Sequence, residues 1–258
     1  MRTYPVLTLV TLAITLSIPH DRRVRAAEPA TVIVELFTSE GCSSCPPADT
    51  LLRQLVDTQP IAGAQIVALG EHVDYWDQQG WKDRFSSAAL TNRQQVYGQA
   101  LNVESIYTPQ MIVDGRAQLV GSDAASARRA IGQMLAAAHG SVRIALEPRE
   151  DRVSVTVSAI NLPTPSRGDH AEVVLAVTED GLTSDVRRGE NHGRVLTHTA
   201  VVRLLKTMGD AGAGSLEREI VVDPSWQRDR VKIVAFVQES RSRRIVAAGA
   251  VPLQSAHR

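Results

Sequence analysis

Cysteine is nearly absent: two residues in 258. With no second thiol pair the chain has no internal relay, so any redox turnover needs an outside partner. Net charge is absent too, 28 basic side chains standing against 28 acidic. A near-neutral chain gives no support for nucleic-acid binding, and no such partner is expected. Beyond the N-terminus no segment is long and apolar enough to span a bilayer. Internal repeats and low-complexity tracts are also lacking, which excludes solenoids and arrays.

The N-terminus has the grammar of an export signal. Arg2 supplies a short basic region, and residues 6–18 are apolar but for Thr and Ser, too short to span comfortably. Val24-Arg25-Ala26 puts small residues at the offsets for cleavage after Ala26, with Ala27 the near alternative. The basic run Arg22-Arg23-Val24-Arg25 leaves an uncleaved anchor as the other reading. With 1–26 as a signal peptide, the remainder holds 24 basic and 27 acidic side chains, a net of −3. A periplasmic or secreted location follows, where a cysteine pair is oxidised unless a partner reduces it.

The two cysteines form Cys42-Ser43-Ser44-Cys45. Ahead of them Thr31-Val32-Ile33-Val34-Glu35-Leu36-Phe37 reads as a strand. Behind them residues 47–56 carry apolar side chains at Ala48, Leu51, Leu52, Leu55 and Val56, one face of a helix. Two thiols one turn apart at a helix start suit thiol–disulfide exchange. The helix terminus favours the Cys42 thiolate, and Cys45 resolves a mixed disulfide from within. Pro46 and Pro47 place the start of regular helix at one of themselves, which leaves the cysteines on the turn feeding it. Three other readings stand beside this one, the first a non-catalytic binding module that reuses the fold and presents its loops to a partner. A plain structural disulfide here closes a loop of few residues and gains little entropy. A copper or zinc site would use Cys42, Cys45 and His72 with further ligands. The redox reading calls for no cofactor; its partner is an exported thiol or disulfide protein, or a redox partner.

Residues 30–140 read as α/β in the order β-α-β-helical insert-β-β-α. After the first strand and helix, 66–69 is a short buried strand. Residues 83–101 are helical and polar, 110–113 is a strand, Asp114-Gly115 a hairpin turn, and 117–120 the return. Ser122 or Asp123 caps a last helix running to about 138. This is a thioredoxin-like arrangement. Residues 141–258 change grammar, with strand-like runs at 142–146, 153–160, 171–178, 199–205, 219–222, 231–238 and 245–251. That suits a smaller all-β, sandwich-like domain.

The stretch Val34-Glu35-Leu36-Phe37-Thr38-Ser39-Glu40-Gly41-Cys42-Ser43-Ser44-Cys45-Pro46-Pro47-Ala48-Asp49 resembles the signature of an exported bacterial family catalogued as domain of unknown function 1223. His72-Val73-Asp74-Tyr75-Trp76-Asp77, Gly80-Trp81-Lys82-Asp83, Arg93-Gln94-Gln95, Tyr107-Thr108-Pro109-Gln110 and Arg188-Gly189-Glu190-Asn191-His192-Gly193 resemble it as well. The resemblance implies a thioredoxin-like fold and an exported location, without a function. In that fold a proline, usually cis, faces the cysteines, and Thr108-Pro109 matches its place. Glu35 resembles the buried acid that takes a proton from the second thiol, but sits seven residues before Cys42 rather than the usual six; the other reading is a carboxylate at the strand edge. His72 and Asp74 follow a central strand, on the rim where open α/β sheets gather ligands. His72 would tune the thiolate or else hold the Tyr75-Trp76 loop. Trp76 and Trp81 would wall the site or pack the insert. The polar loop around Asn191 and His192 would be a specificity element if it leans over the cysteines, and a salt-bridged hairpin tip if not.

Overall fold

The run expected as a strand at 31–37 forms β1, Ala30–Thr38, in the computed structural model, which describes residues 29–254. The signal segment expected at 1–26 lies outside the described residues. β1 runs parallel to β2 (Ala64–His72) and antiparallel to β3 (Gln110–Val113), and β4 (Ala117–Val120) closes that edge. Three residues, 114–116, join the paired Val113 and Ala117; Asp114 and Gly115 both take positive φ, 46° and 61°, and Arg116 N–H donates to Val113 O to close the turn.

Alternate residues of β1 feed different layers, because successive side chains point to opposite faces. Val32, Val34 and Leu36 pack beneath α1 (Pro46–Thr58) and α3 (Ala124–Met134). Phe37 points the other way and meets Tyr97 of α2 (Ala88–Ala100) edge-on, 6.1 Å between ring centres. Ile33 shares that second face and packs with Phe236 and Ala248. α1 buries Ala48, Leu51, Leu52 and Leu55, the stripe its sequence carries. Its first two positions are Pro46 and Pro47, where a missing N–H costs nothing. α2 begins at 88 rather than 83, because Ser87 caps it by accepting from Ala89 N–H. α3 ends at 134 rather than near 138, its tail winding into tighter turns in which Ala136 and Ala137 donate to Gln133 and Met134.

The second half supplies β5 (Ser141–Arg149), β6 (Arg152–Ile160), β7 (Ala171–Glu179), β8 (Leu182–Asp185), β9 (Val195–His198), β10 (Val201–Asp210), β11 (Ser215–Val221), β12 (Val231–Glu239) and β13 (Ile245–Pro252). The short pair β8–β9 has no counterpart in the sequence reading. One eight-stranded sheet, β13-β12-β7-β10-β2-β1-β3-β4, runs through both halves. The join is the bridge Val201↔Gly70, and Gly70 N–H donates to Ala200 O at 2.7 Å. Only glycine fits there: a Cβ on residue 70 would stand 2.7 Å from Thr199 O. The three-stranded sheet β11-β6-β5 covers β7 and β12 through Val153, Val155 and Val157 against Leu175, Val177 and Ile233. No helix among the described residues is long and apolar enough to cross a membrane.

Candidate functional site

Cys42 and Cys45 are joined as a disulfide on the turn between β1 and α1. Cys45 occupies the N-cap of α1 and makes no side-chain cap bond; Ala48 and Asp49 N–H donate to its carbonyl. Cys42 N–H donates to Ser39 O, and Cys45 N–H to Cys42 O, both at 3.2 Å. Ser43 and Ser44 are exposed, whereas both cysteines are 0% exposed. Exchange with any partner therefore requires something to move.

What closes over the turn is the loop 186–194 between β8 and β9, more than 140 residues away in sequence. Asn191, wholly buried, donates its amide to Glu40 O at 2.8 Å and to Cys42 O at 2.9 Å. Glu190 Oε2 accepts from Ser43 N–H at 3.1 Å, and the Ser43 hydroxyl first, with this N–H second, holds its carboxyl below the usual range. Gly189 lies against Gly80 and Trp81. The loop is braced on itself: Gly193 N–H donates to Val186 O, and Arg194 donates to Asn191 Oδ1. Of the two loop residues singled out from sequence, Asn191 reaches the cysteine turn and His192 is exposed beyond it.

Behind the turn is a buried polar cluster. Asp83 Oδ2 accepts from Glu40 N–H at 2.9 Å and meets His72 Nδ1 at 2.6 Å. Burial would raise the Asp83 carboxyl, but His72 and the backbone donors hold it low. Glu40 is likewise held low against its burial, by His198 at 3.2 Å and by Trp81, whose indole N–H donates at 2.7 Å. The His72 and His198 rings meet edge-to-face, 4.7 Å between centres. His72 thus joins the site through Asp83 and Glu40 rather than through a bond to sulfur.

Asp49, four residues past Cys45, faces the same cluster. Burial, with the Asp83 and Glu40 charges adding, pushes it up to about 7, against the pull of His198 and Thr38. The folded chain thus keeps a proton that the unfolded chain, with its carboxyl at 3.8, has lost. Stability contributed by that proton is complete in acid and falls as pH rises from about 4 to about 7. Urea unfolding across this range should show the decline. The Asp49→Asn variant should flatten it, and an unchanged slope in that variant would remove Asp49 as its source.

The Thr108–Pro109 peptide is cis, and Pro109 immediately precedes β3. Its ring lies across Gly121 from the first turn of α1: a Cβ on Gly121 would stand 3.0 Å from Pro109 Cβ and 3.1 Å from Ala48 Cβ. Thr108 Oγ1 accepts from the Trp76 indole N–H at 2.8 Å, and Trp76 Cβ backs Gly41. Asp74 clips the loop to α2, its N–H donating to Thr91 Oγ1 while Thr91 donates back to Asp74 Oδ1. Glu35 points to the α2 face, away from α1, where Arg93 and Tyr97 donate to its two oxygens. The remaining members, Glu40, Asp83, His198 and Asp49, have no role assigned from sequence, although Glu40 and Asp49 flank the cysteines within the family-like stretch and Asp83 ends another such stretch, Gly80-Trp81-Lys82-Asp83. Among the described residues no cluster of three or more His, Cys, Asp or Glu side chains has metal-holding geometry.

The chain is similar in structure to protein AGR_C_4864 of Agrobacterium tumefaciens, with a TM-score of 0.67 and 26% identity over 88% of this chain and 96% of that one. It also shares its fold with HBP35 of Porphyromonas gingivalis, with a TM-score of 0.62 and 14% identity over 88% and 76% of the two chains. No curated protein matches it. Residues 33–238, from β1 through β12 and including the cysteine turn, match the family described as Protein of unknown function (DUF1223), and the chain belongs to that family.

Proposed function

We propose that the chain is an exported thiol–disulfide exchange protein whose first half is thioredoxin-like and whose reacting pair is Cys42–Cys45. The observation that carries this reading is the position of the disulfide. The only two cysteines close on each other at the β1–α1 turn, with Pro109 across from the start of the helix and only a hydrogen-bonded loop above. The strand order β2-β1-β3-β4, with β1 and β2 parallel and β3 antiparallel, supports the fold assignment. Export rests on the composition of residues 1–26.

The exchange runs in two displacements. A partner thiolate attacks Cys42 Sγ, a partner–Cys42 bond forms, the Cys42–Cys45 bond breaks, and Cys45 leaves as thiolate and takes up a proton. A second partner thiol, deprotonated, attacks the partner sulfur of the mixed disulfide and releases Cys42. Two electrons and two protons have then passed from the partner dithiol to this chain; the reverse sequence reduces a partner disulfide.

The test is equilibration in glutathione redox buffers, with free thiols trapped by alkylation, beside insulin reduction and dithiol oxidation assays. The pair is expected to titrate between oxidised and reduced forms. The Cys42→Ser variant should lose turnover by about 100-fold or more, since it removes the attacking sulfur. A wild-type chain no more active than Cys42→Ser on any of these substrates removes the reading.

A further inference from the structure

β2 is nine residues long, yet β10 meets it at one position, Gly70. Among the described residues, no strand runs beside β2 from Ala64 to Leu69 on the side away from β1. Backbone groups of alternate residues in a strand aim at opposite neighbours. Gly70 N–H aims toward β10, so Ala64, Ile66 and Ala68 aim the same way, into a lane that no described strand fills. The Ala64 N–H is taken up locally by Ile61 O at 3.1 Å.

At Ile66 a side chain stands in for a strand. Gln59 Oε1 accepts from Ile66 N–H at 2.7 Å, and Gln59 Nε2 donates to Ile66 O at 3.0 Å. One carboxamide makes both bonds that a residue of a neighbouring antiparallel strand would make. Gln59 closes α1 at φ 43°, a left-handed placement uncommon for a side-chain-bearing residue. The edge is therefore already bonded to an amide, supplied from within the chain.

Alongside the same edge lies a groove of about 510 Å³, walled by Val56 of α1, Ile66 and Ala68 of β2, and Val234, Ala250 and Val251 of β12 and β13. A ligand using wall and edge together needs a row of amides at strand spacing and small apolar groups on alternate positions. We propose that the groove takes an extended peptide segment of a partner protein, added as a strand along Ala64–Ala68 as the Gln59 carboxamide swings out. At about 3.3 Å per residue the lane holds roughly five residues. An acyl chain would use the apolar wall and ignore the edge. The proposal involves neither cysteine and stands apart from the exchange reading.

The probe is a fluorescent, acetylated seven-residue peptide of alternating valine and threonine with a lysine at each end, read by anisotropy against the full chain. A second peptide has the same side chains but carries N-methyl groups on alternate amides. The parent is expected to bind, and the methylated form about tenfold more weakly, having lost its edge bonds. Gln59→Ala, which leaves no amide to displace, should bind the parent about fivefold more tightly. Ala250→Phe fills the groove and should weaken binding about tenfold with circular dichroism unchanged. In the wild-type chain the peptide should slow hydrogen exchange at the Ala68 amide, a measurement that needs no variant to fold. Absence of binding at millimolar peptide, equal binding of the methylated form, or unchanged Ala68 exchange in the bound state would each overturn the proposal.

Discussion

Replacing Arg93 by methionine is expected to lower the free energy of unfolding by about 3–5 kcal/mol, the scale seen when one partner of a buried ion pair is removed. Arg93 is nearly buried, and its guanidinium reaches four side chains on three other elements and its own helix. It donates to Glu35 Oε2 at 2.6 Å, to Tyr97 OH at 3.0 Å and to Gln238 Oε1 at 3.1 Å, and it lies 3.3 Å from Glu71 Oε1. Glu35 and Glu71 are both wholly buried. Burial alone would raise both carboxyls. Arg93 wins at Glu35 and holds it low, while at Glu71 burial and the Glu35 charge win and push it well up. One cation thus serves two carboxyls by leaving one of them protonated. Without Arg93, Glu35 either stays charged with no compensating cation or takes a proton at a free-energy cost.

The controls follow from that division. Glu71→Gln preserves a neutral, polar shape and should cost within about 1 kcal/mol. The Arg93→Met deficit should shrink in acid, because a carboxylate held low contributes stability above its unfolded value and loses it as pH falls. Denaturant unfolding at neutral pH and near pH 4 checks both. A deficit under about 1 kcal/mol at neutral pH would mean that the cluster is solvated in ways its burial excludes. Gln238 belongs to β12, so the same experiment tests how firmly the second half is pinned to α2.

Much of this architecture is legible in the chain, where the local signal and the tertiary outcome agree. The apolar run at 31–37, the stripe at Ala48, Leu51, Leu52 and Leu55, and the Asp114-Gly115 turn each settle a local choice that packing then uses. β8 and β9 escape because Leu182-Thr183-Ser184-Asp185 and Val195-Leu196-Thr197-His198 are four residues each, with three and two of them polar. Their role is to present the loop between them, which is a tertiary fact. Glu35 illustrates a signal present but easily misassigned. Its distance from Cys42 invites a proton-acceptor role, whereas strand alternation puts it opposite Val34 and Leu36, the residues under α1. Glu40 and Asp83 lie in family-like stretches that give no hint of their meeting; they and His198 are brought together from the β1–α1 turn, the insert and β9 by the fold alone.

Asn191→Ala is expected to speed reduction of the Cys42–Cys45 disulfide by dithiothreitol about tenfold or more. Both sulfurs are shut off from solvent, so a small thiol attacks only in the fraction of molecules whose loop has lifted. That fraction is set by what holds the loop down. Asn191 contributes two hydrogen bonds to buried carbonyls, each worth about 0.5–1.5 kcal/mol net, and together, at about 1–3 kcal/mol, they shift the opening equilibrium by about five- to 150-fold. His192→Ala removes an exposed neighbour in the same loop and should leave the rate unchanged. Glu190→Gln keeps an acceptor for Ser43 N–H and should change it little. Global unfolding also exposes the bond, so the rate must be compared with stability measured on the same variant. Acceleration beyond what the loss of global stability explains identifies local opening. Reduction of Asn191→Ala at the wild-type rate would mean that the sulfurs are reached by another route, and the loop would then be packing rather than a gate.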